Sequence, residues 1–183
     1  MRCKYQPNSG TYADVLLEFL FNLSDSNSSD FAPAIVAVFQ MIAPHIRFLS
    51  SFIAEKLIKL FIESIQSENK KIVQLLLEAF AEIVQKKYNI KNTILPLFVA
   101  NASLFESLKE NEKIEIENNS LNIVLTFIST VTSELKKSNI ENPQVSDINK
   151  VLESIDASEI FANTVSFMKH PQILSYQILA SWT

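Results

Sequence analysis

A single glycine, Gly10, in a chain of 183 residues is the feature that most limits how this protein folds. Tight hairpin turns depend on glycine because it adopts positive φ at little steric cost, so its scarcity argues against β-sandwiches and barrels. Walker loops and dinucleotide-binding fingerprints need several glycines within one turn, so both are excluded. The single cysteine, Cys3, likewise excludes an intrachain disulfide and a zinc site built from several thiolates. The sequence therefore predicts an all-α fold.

The charge balance indicates which partners to expect. The chain carries 16 Lys+Arg and 20 Asp+Glu, a net charge of −4, and none of its thirds is basic, so we expect no nucleic-acid partner. The longest apolar stretch, residues 31–43, is shorter than the ~20 residues that a membrane-spanning helix needs. Residues 1–10 lack the pattern of a secretory signal peptide. We therefore expect a cytoplasmic protein.

Apolar residues recur at helical spacing along most of the chain. The predicted helices are Thr11 or Tyr12 to Leu23, Asp30 as N-cap to about Pro44, Ser50 or Ser51 as N-cap to Ile65, Ser67 or Asn69 to about Tyr88, Ile94 to Leu108, Leu121 to Lys137, Ser146 to Ile155, Ala157 to Lys169 and Ile173 to Ser181. The resulting organisation is an irregular lead (1–10), a helical array (11–108), a charged surface linker (109–119) and a helical continuation of the same array (120–183).

The predicted fourth helix is polar along only one narrow stripe. Lys71, Gln74, Glu78, Glu82 and Gln85 recur at helical spacing, and the residues beside them are apolar. Such a helix is buried on two sides, as in the inner layers of stacked helical arrays. Successive helix pairs begin about 38 residues apart, close to the ~40-residue period of HEAT and armadillo repeats. We therefore predict stacked antiparallel helices, a HEAT/armadillo-like α-solenoid fragment, with a single helical bundle as the alternative.

Few residues carry the chemistry that catalysis requires. His45 and His170 each adjoin a proline and are interpreted as helix-end residues, where an imidazolium meets free carbonyls. Glu78 and Glu82 lie one turn apart, but a solvent-facing polar stripe explains both. Cys3 lies between two basic residues without a histidine nearby in sequence, and we interpret it as an ordinary thiol. The sequence predicts no catalytic, cofactor-binding or metal-binding residues, no cofactor and no enzymatic activity.

Lysine pairs and phenylalanines leave two questions open. Three lysine pairs lie at predicted helix ends: Lys70-Lys71, Lys86-Lys87 and Lys136-Lys137. They either stabilise the helix, as cations do at a helix C-terminus, or contact anionic lipid. The sequence does not decide between the two roles. Core packing explains phenylalanines on apolar stripes, whereas an exposed row of them would indicate a groove for a partner helix. The phenylalanines on apolar stripes are Phe19, Phe39, Phe61 and Phe80.

Two segments resemble a known family. Residues 43–57 read APHIRFLSSFIAEKL, and residues 75–88 read LLLEAFAEIVQKKY. Both are similar to the C-terminal region of the high-temperature-induced dauer-formation proteins, a dymeclin-related family on the cytosolic face of the Golgi. Shorter similarities lie at Leu104–Leu108, Ser146–Leu152 and His170–Leu174, so the resemblance extends over roughly residues 11–180.

The resemblance implies a non-enzymatic helical scaffold in Golgi-linked vesicle trafficking and secretory cargo sorting, formed by a C-terminal part of a larger protein. It also implies protein partners, whose identity the sequence does not give. Family members can be myristoylated at a glycine in second position; Arg2 occupies that position here. We therefore expect membrane association to be indirect or to depend on missing sequence. The alternative is a HEAT/armadillo-like protein-binding module of another pathway, and the oligomeric state is left open.

Overall fold

The structure, a computed structural model, describes residues 11–26, 31–46, 49–85, 94–111, 114, 118–140 and 143–155. All regular secondary structure within these ranges is helical, which confirms the all-α prediction. The helices are α1 (Tyr12–Ser26), α2 (Ala32–Ile42), α3 (Ser51–Gln66), α4 (Lys70–Gln85), α5 (Ile94–Ala100), α6 (Ala102–Ser107), α7 (Asn118–Lys137) and α8 (Val145–Ser154), with a short 3₁₀ helix (Ala43–His45) after α2.

The described helices pack against one another. Helix α1 contacts α2 and α3, and α3 contacts α4 and α5. Helix α4 contacts α2 and α7, and α5 contacts α8. Further contacts join α7 to α5, α6 and α8. Buried side chains of all eight helices belong to one hydrophobic cluster, with α4 at its centre.

Five phenylalanine rings form the middle of this cluster. The ring of Phe80 on α4 lies 5.9 Å from that of Phe39 on α2 and 5.4 Å from that of Phe61 on α3, measured between centroids. Two further rings complete the group: Phe98 on α5 is 4.9 Å from Phe80, and Phe105 on α6 is 5.3 Å from Phe61. Four of the six ring pairs among these five residues meet edge-to-face, a geometry that aromatic quadrupoles favour. The cluster thus ties five helices together.

Most helix ends lie within a few residues of their predicted positions. Ser50 is the N-cap of α3, as predicted, and its hydroxyl accepts a hydrogen bond from the Ile53 amide at 3.4 Å. The N-cap of α2 is Phe31 instead of the expected Asp30, and the Phe31 side chain makes no capping hydrogen bond. Asp30 and the two helices predicted after residue 156 lie outside the described residues.

Two segments differ from the prediction. The helix expected over residues 94–108 is split into α5 and α6 at Asn101, whose backbone amide and side-chain amide both donate to the Leu97 carbonyl, at 3.0 Å and 2.8 Å. Within residues 109–119, expected to be a surface linker, Ile114 is buried and Asn118 begins α7. This charged segment therefore contributes to the core through Ile114.

Helices α3 and α7 end in the same way, without glycine. Glu68 and Asn139 follow these helices with φ of 54° and 56°, in the left-handed region that favours glycine. In each case the next amide bonds back to the third-last helical carbonyl, Asn69 to Ser64 at 2.9 Å and Ile140 to Leu135 at 3.2 Å. These are Schellman motifs, and they satisfy carbonyls that the helix end would otherwise leave free.

Candidate interaction surfaces

Three of the five residues weighed for chemistry lie in the described part of the chain. His45 is exposed at the end of the 3₁₀ helix, and Glu78 and Glu82 are half-buried on α4. His170 and Cys3 lie outside the described residues. Among the residues that the structure describes, no three histidine, cysteine, aspartate or glutamate side chains lie close enough together to hold a metal ion.

The polar stripe predicted on α4 is present. Lys71 is exposed, and Gln74, Glu78, Glu82 and Gln85 are half-buried. Helices α2, α3 and α7 pack around the rest of α4, which confirms the expectation of a helix buried on more than one side. The buried residues of α4 are Ile72, Val73, Leu75, Leu76, Leu77, Ala79, Phe80, Ala81, Ile83 and Val84.

Glu78 is more than a solvent-facing residue of this stripe, and the prediction is corrected on this point. Gln40 of α2 donates from Nε2 to Glu78 Oε2 at 2.7 Å, and Gln74 donates from Nε2 to Glu78 Oε1 at 2.9 Å. These three residues form what we call the Gln40–Glu78 cluster. Gln40 is only 4% exposed, and within the described part of the chain its Oε1 is a buried acceptor that receives no hydrogen bond. The cluster therefore joins α2 to α4 through a carboxylate held by two amides.

Asp14 is a buried polar residue that sequence analysis missed. It is 3% exposed, and its Oδ1 accepts a hydrogen bond from the Ser50 amide at 2.7 Å, which ties α1 to the start of α3. Its Oδ2 accepts from the Thr11 amide at 2.9 Å, while Thr11 Oγ1 accepts from the Asp14 amide at 3.4 Å. This reciprocal pair is a capping box, and its Thr-x-x-Asp spacing is a visible signal in the sequence. The contact with Ser50 has no such signal, because the two residues lie 36 positions apart.

The phenylalanines on apolar stripes divide into two groups. Phe39, Phe61 and Phe80 are fully buried, so core packing accounts for them. Phe19 on α1 is 55% exposed instead, and it shares one face of the helix with Leu16 (42%) and Tyr12 (96%). We call Tyr12, Leu16 and Phe19 the α1 stripe. A row of exposed apolar side chains at this helical spacing indicates a surface that contacts another helix.

The two lysine pairs within the described residues lie at helix ends, as predicted. Lys70 and Lys71 are exposed in the first turn of α4, and Lys136 and Lys137 are exposed in the last turn of α7. Lys137 pairs with Glu134 at 2.6 Å, where its charge also suits the carbonyl end of the helix. Lys86-Lys87 lies outside the described residues. The two described pairs belong to different helices and to opposite helix ends.

None of the helices in the described ranges combines the length and the apolar character needed to cross a lipid bilayer. Comparison of the chain with protein families, curated proteins and solved structures finds no match.

Proposed function

We propose that this chain is a non-enzymatic helical scaffold that binds protein partners in Golgi-linked vesicle trafficking and secretory cargo sorting. The proposal has two parts, the architecture of a scaffold and the pathway in which it acts. The order of helix contacts supports the first part, and the resemblance of residues 43–57 and 75–88 to the high-temperature-induced dauer-formation proteins supports the second.

The observation that carries the scaffold proposal is the order in which the helices contact one another. Helices α1, α3, α5 and α8 form one series of neighbours, and α2, α4 and α7 form another. In stacked repeats such as HEAT and armadillo arrays, each helix pair contacts mainly the pairs before and after it, which gives two parallel series of this kind. We therefore favour a HEAT/armadillo-like array over a single helical bundle.

The Gln40–Glu78 cluster supports the assignment of a binding face to the α2–α4–α7 series. Its carboxylate is half-buried, held in place by two amides and positioned on the polar stripe of α4. A fixed carboxylate of this kind accepts hydrogen bonds from the backbone amides or basic side chains of a bound segment at little entropic cost. We propose that partner proteins bind along this stripe.

The localisation of the tagged full-length protein tests the proposed pathway. We expect the signal to coincide with a Golgi marker, and we expect Glu78→Arg to reduce that recruitment. Glu63→Arg is the matched control, since Glu63 is an exposed carboxylate on α3 that pairs with Lys59 of the same helix at 3.6 Å. A diffuse or nuclear signal for the wild-type protein would contradict the Golgi assignment and favour a binding module of another pathway. An equal loss with both variants would contradict the proposed binding face.

Flotation with anionic liposomes tests whether membrane association is indirect. At physiological ionic strength we expect the purified chain to remain unbound, because its net charge is −4 and its described lysine pairs lie on different helices. Stoichiometric co-flotation that survives added salt would show that the chain itself inserts apolar side chains into the bilayer.

A further inference from the structure

Helix α1 is apolar on two opposite sides, and the chain covers only one of them within the described ranges. Leu17 and Phe21 face the core and are buried. The α1 stripe lies on the other side and continues to Leu23, which is half-buried. From Tyr12 onward, the steps between these four residues are four, three and four positions, which is the spacing of a seam between two packed helices. The outer side of α1 therefore has the pattern of a helix–helix contact that is not made within the described residues.

The charges of α1 lie away from this stripe. Asp14 is buried against α3, and Asp25 pairs with Lys56 of α3 at 2.9 Å. Glu18, the remaining carboxylate, lies about a third of a turn or more from the residues of the stripe. The helix contains no lysine or arginine. A surface that binds anionic lipid usually carries basic residues beside its apolar ones, so this composition favours a protein over a membrane as the occupant.

The positions of the apolar residues on this side are symmetric along the helix. Each of them has an apolar counterpart at the same distance from a point between Leu17 and Glu18. The pairs related in this way are Leu16 with Phe19, Val15 with Leu20, and Tyr12 with Leu23. A two-fold axis through that point would place each residue against its counterpart in an antiparallel copy of the same helix, which is the requirement for an isologous interface.

We propose that two copies of this chain associate through the α1 stripe, with their α1 helices antiparallel. Leu16 of each copy then packs against Phe19 of the other, and Tyr12 packs against Leu23. No carboxylate meets another across this contact, because the acidic residues of α1 lie on its other faces. Tyr12 loses the most exposed surface, since it is 96% exposed in the single chain.

The size of the stripe sets the strength of the association. A fully buried aromatic side chain removes roughly 150–250 Å² from water, so the stripe removes roughly 300–400 Å² per copy. Stable interfaces bury about 800 Å² per partner. We therefore expect a reversible dimer with a Kd of roughly 10–500 µM rather than an obligate one.

Sedimentation velocity on the full chain, over protein concentrations from about 5 to about 500 µM, tests this proposal. We expect the wild-type chain to shift from monomer to dimer across the series. Leu16→Glu and Phe19→Lys should each weaken dimerisation at least tenfold while the circular dichroism spectrum stays helical. Val145→Glu is the control, because Val145 on α8 is an equally exposed apolar residue (55%) outside the stripe. It should leave dimerisation unchanged.

A mixture of the two variants tests the proposed register. In a mixed dimer, one contact pairs the glutamate introduced in one chain with the lysine introduced in the other, and the second contact keeps the original Leu16 and Phe19. We therefore expect the equimolar mixture of Leu16→Glu and Phe19→Lys to recover dimer that neither variant forms alone. A wild-type chain that stays monomeric at all concentrations would overturn the proposal. Dimerisation that is lost equally with Val145→Glu, or a mixture that stays monomeric, would also overturn it.

Discussion

Replacement of Phe80 by alanine should destabilise this protein more than any other single truncation of a phenylalanine. Its side chain is fully buried on α4, which packs against α2, α3, α7 and the 3₁₀ helix. Phe→Ala substitutions in cores cost about 3–5 kcal/mol, as the sum of lost transfer free energy and the cavity that remains. Phe80 also contacts four other rings, with centroid distances from 4.9 to 6.5 Å. Each such pair adds about 0.5–1.5 kcal/mol, so we expect the upper end of the range, about 4–5 kcal/mol.

Urea denaturation followed by far-ultraviolet circular dichroism measures this loss. For a chain of this length, a loss of about 4 kcal/mol also lowers the melting temperature by about 8–16 °C. Phe52→Ala is the matched control, since Phe52 on α3 is 47% exposed. Its ring contacts the ammonium group of Lys56, 5.7 Å from the centroid, so its removal should cost only about 1 kcal/mol. Equal losses at Phe52 and Phe80 would refute the central position that we assign to Phe80.

The remaining predictions concern polar groups and one turn, and urea denaturation measures each of them. Glu78→Ala should cost about 1–3 kcal/mol, because the buried amide of Gln40 loses its acceptor; the same change in a Gln40→Leu background should cost less, and equal costs would show that the two residues are not coupled. Asp14→Ala should cost about 2–3 kcal/mol, because the Ser50 amide loses a charged acceptor, and a loss below about 0.5 kcal/mol would contradict that role. Glu68→Gly should stabilise the protein by about 0.5 kcal/mol, because glycine relieves the positive φ; a loss of stability would mean that another contact of this side chain matters more.

Much of the helical pattern could be predicted from the sequence, because it depends on local rules. The N-cap at Ser50 and the polar stripe of α4 both follow from residues within a few positions of one another. The break at Asn101 could not be predicted from apolar spacing, since apolar residues recur at helical spacing on both sides of it. Contacts between residues far apart in the sequence also leave no local pattern. The helical spacing predicts a solvent-facing Glu78, because its partner Gln40 lies 38 positions away on a different helix.

The candidate surfaces show the same limit. Phe19 and Phe80 lie on similar apolar stripes in the sequence, yet Phe80 is buried and Phe19 is 55% exposed. Spacing identifies which face of a helix is apolar, but only the packing of other helices decides whether that face is covered. The exposure of the α1 stripe therefore depends on which helices pack against α1, and the sequence of α1 does not contain that information.

The phenylalanine cluster limits where a helix pair can be added to or removed from this protein. Arrays of repeats commonly lengthen or shorten by the gain or loss of a whole unit, because each unit contacts only its neighbours and stability is nearly a sum over units. Here rings from α2 through α6 interlock around Phe80, so excision of one pair would leave the rings on either side without their partners. Duplication of a pair would separate rings that now touch. We therefore expect the central helices to be gained or lost together, and changes of length in related chains to occur outside them.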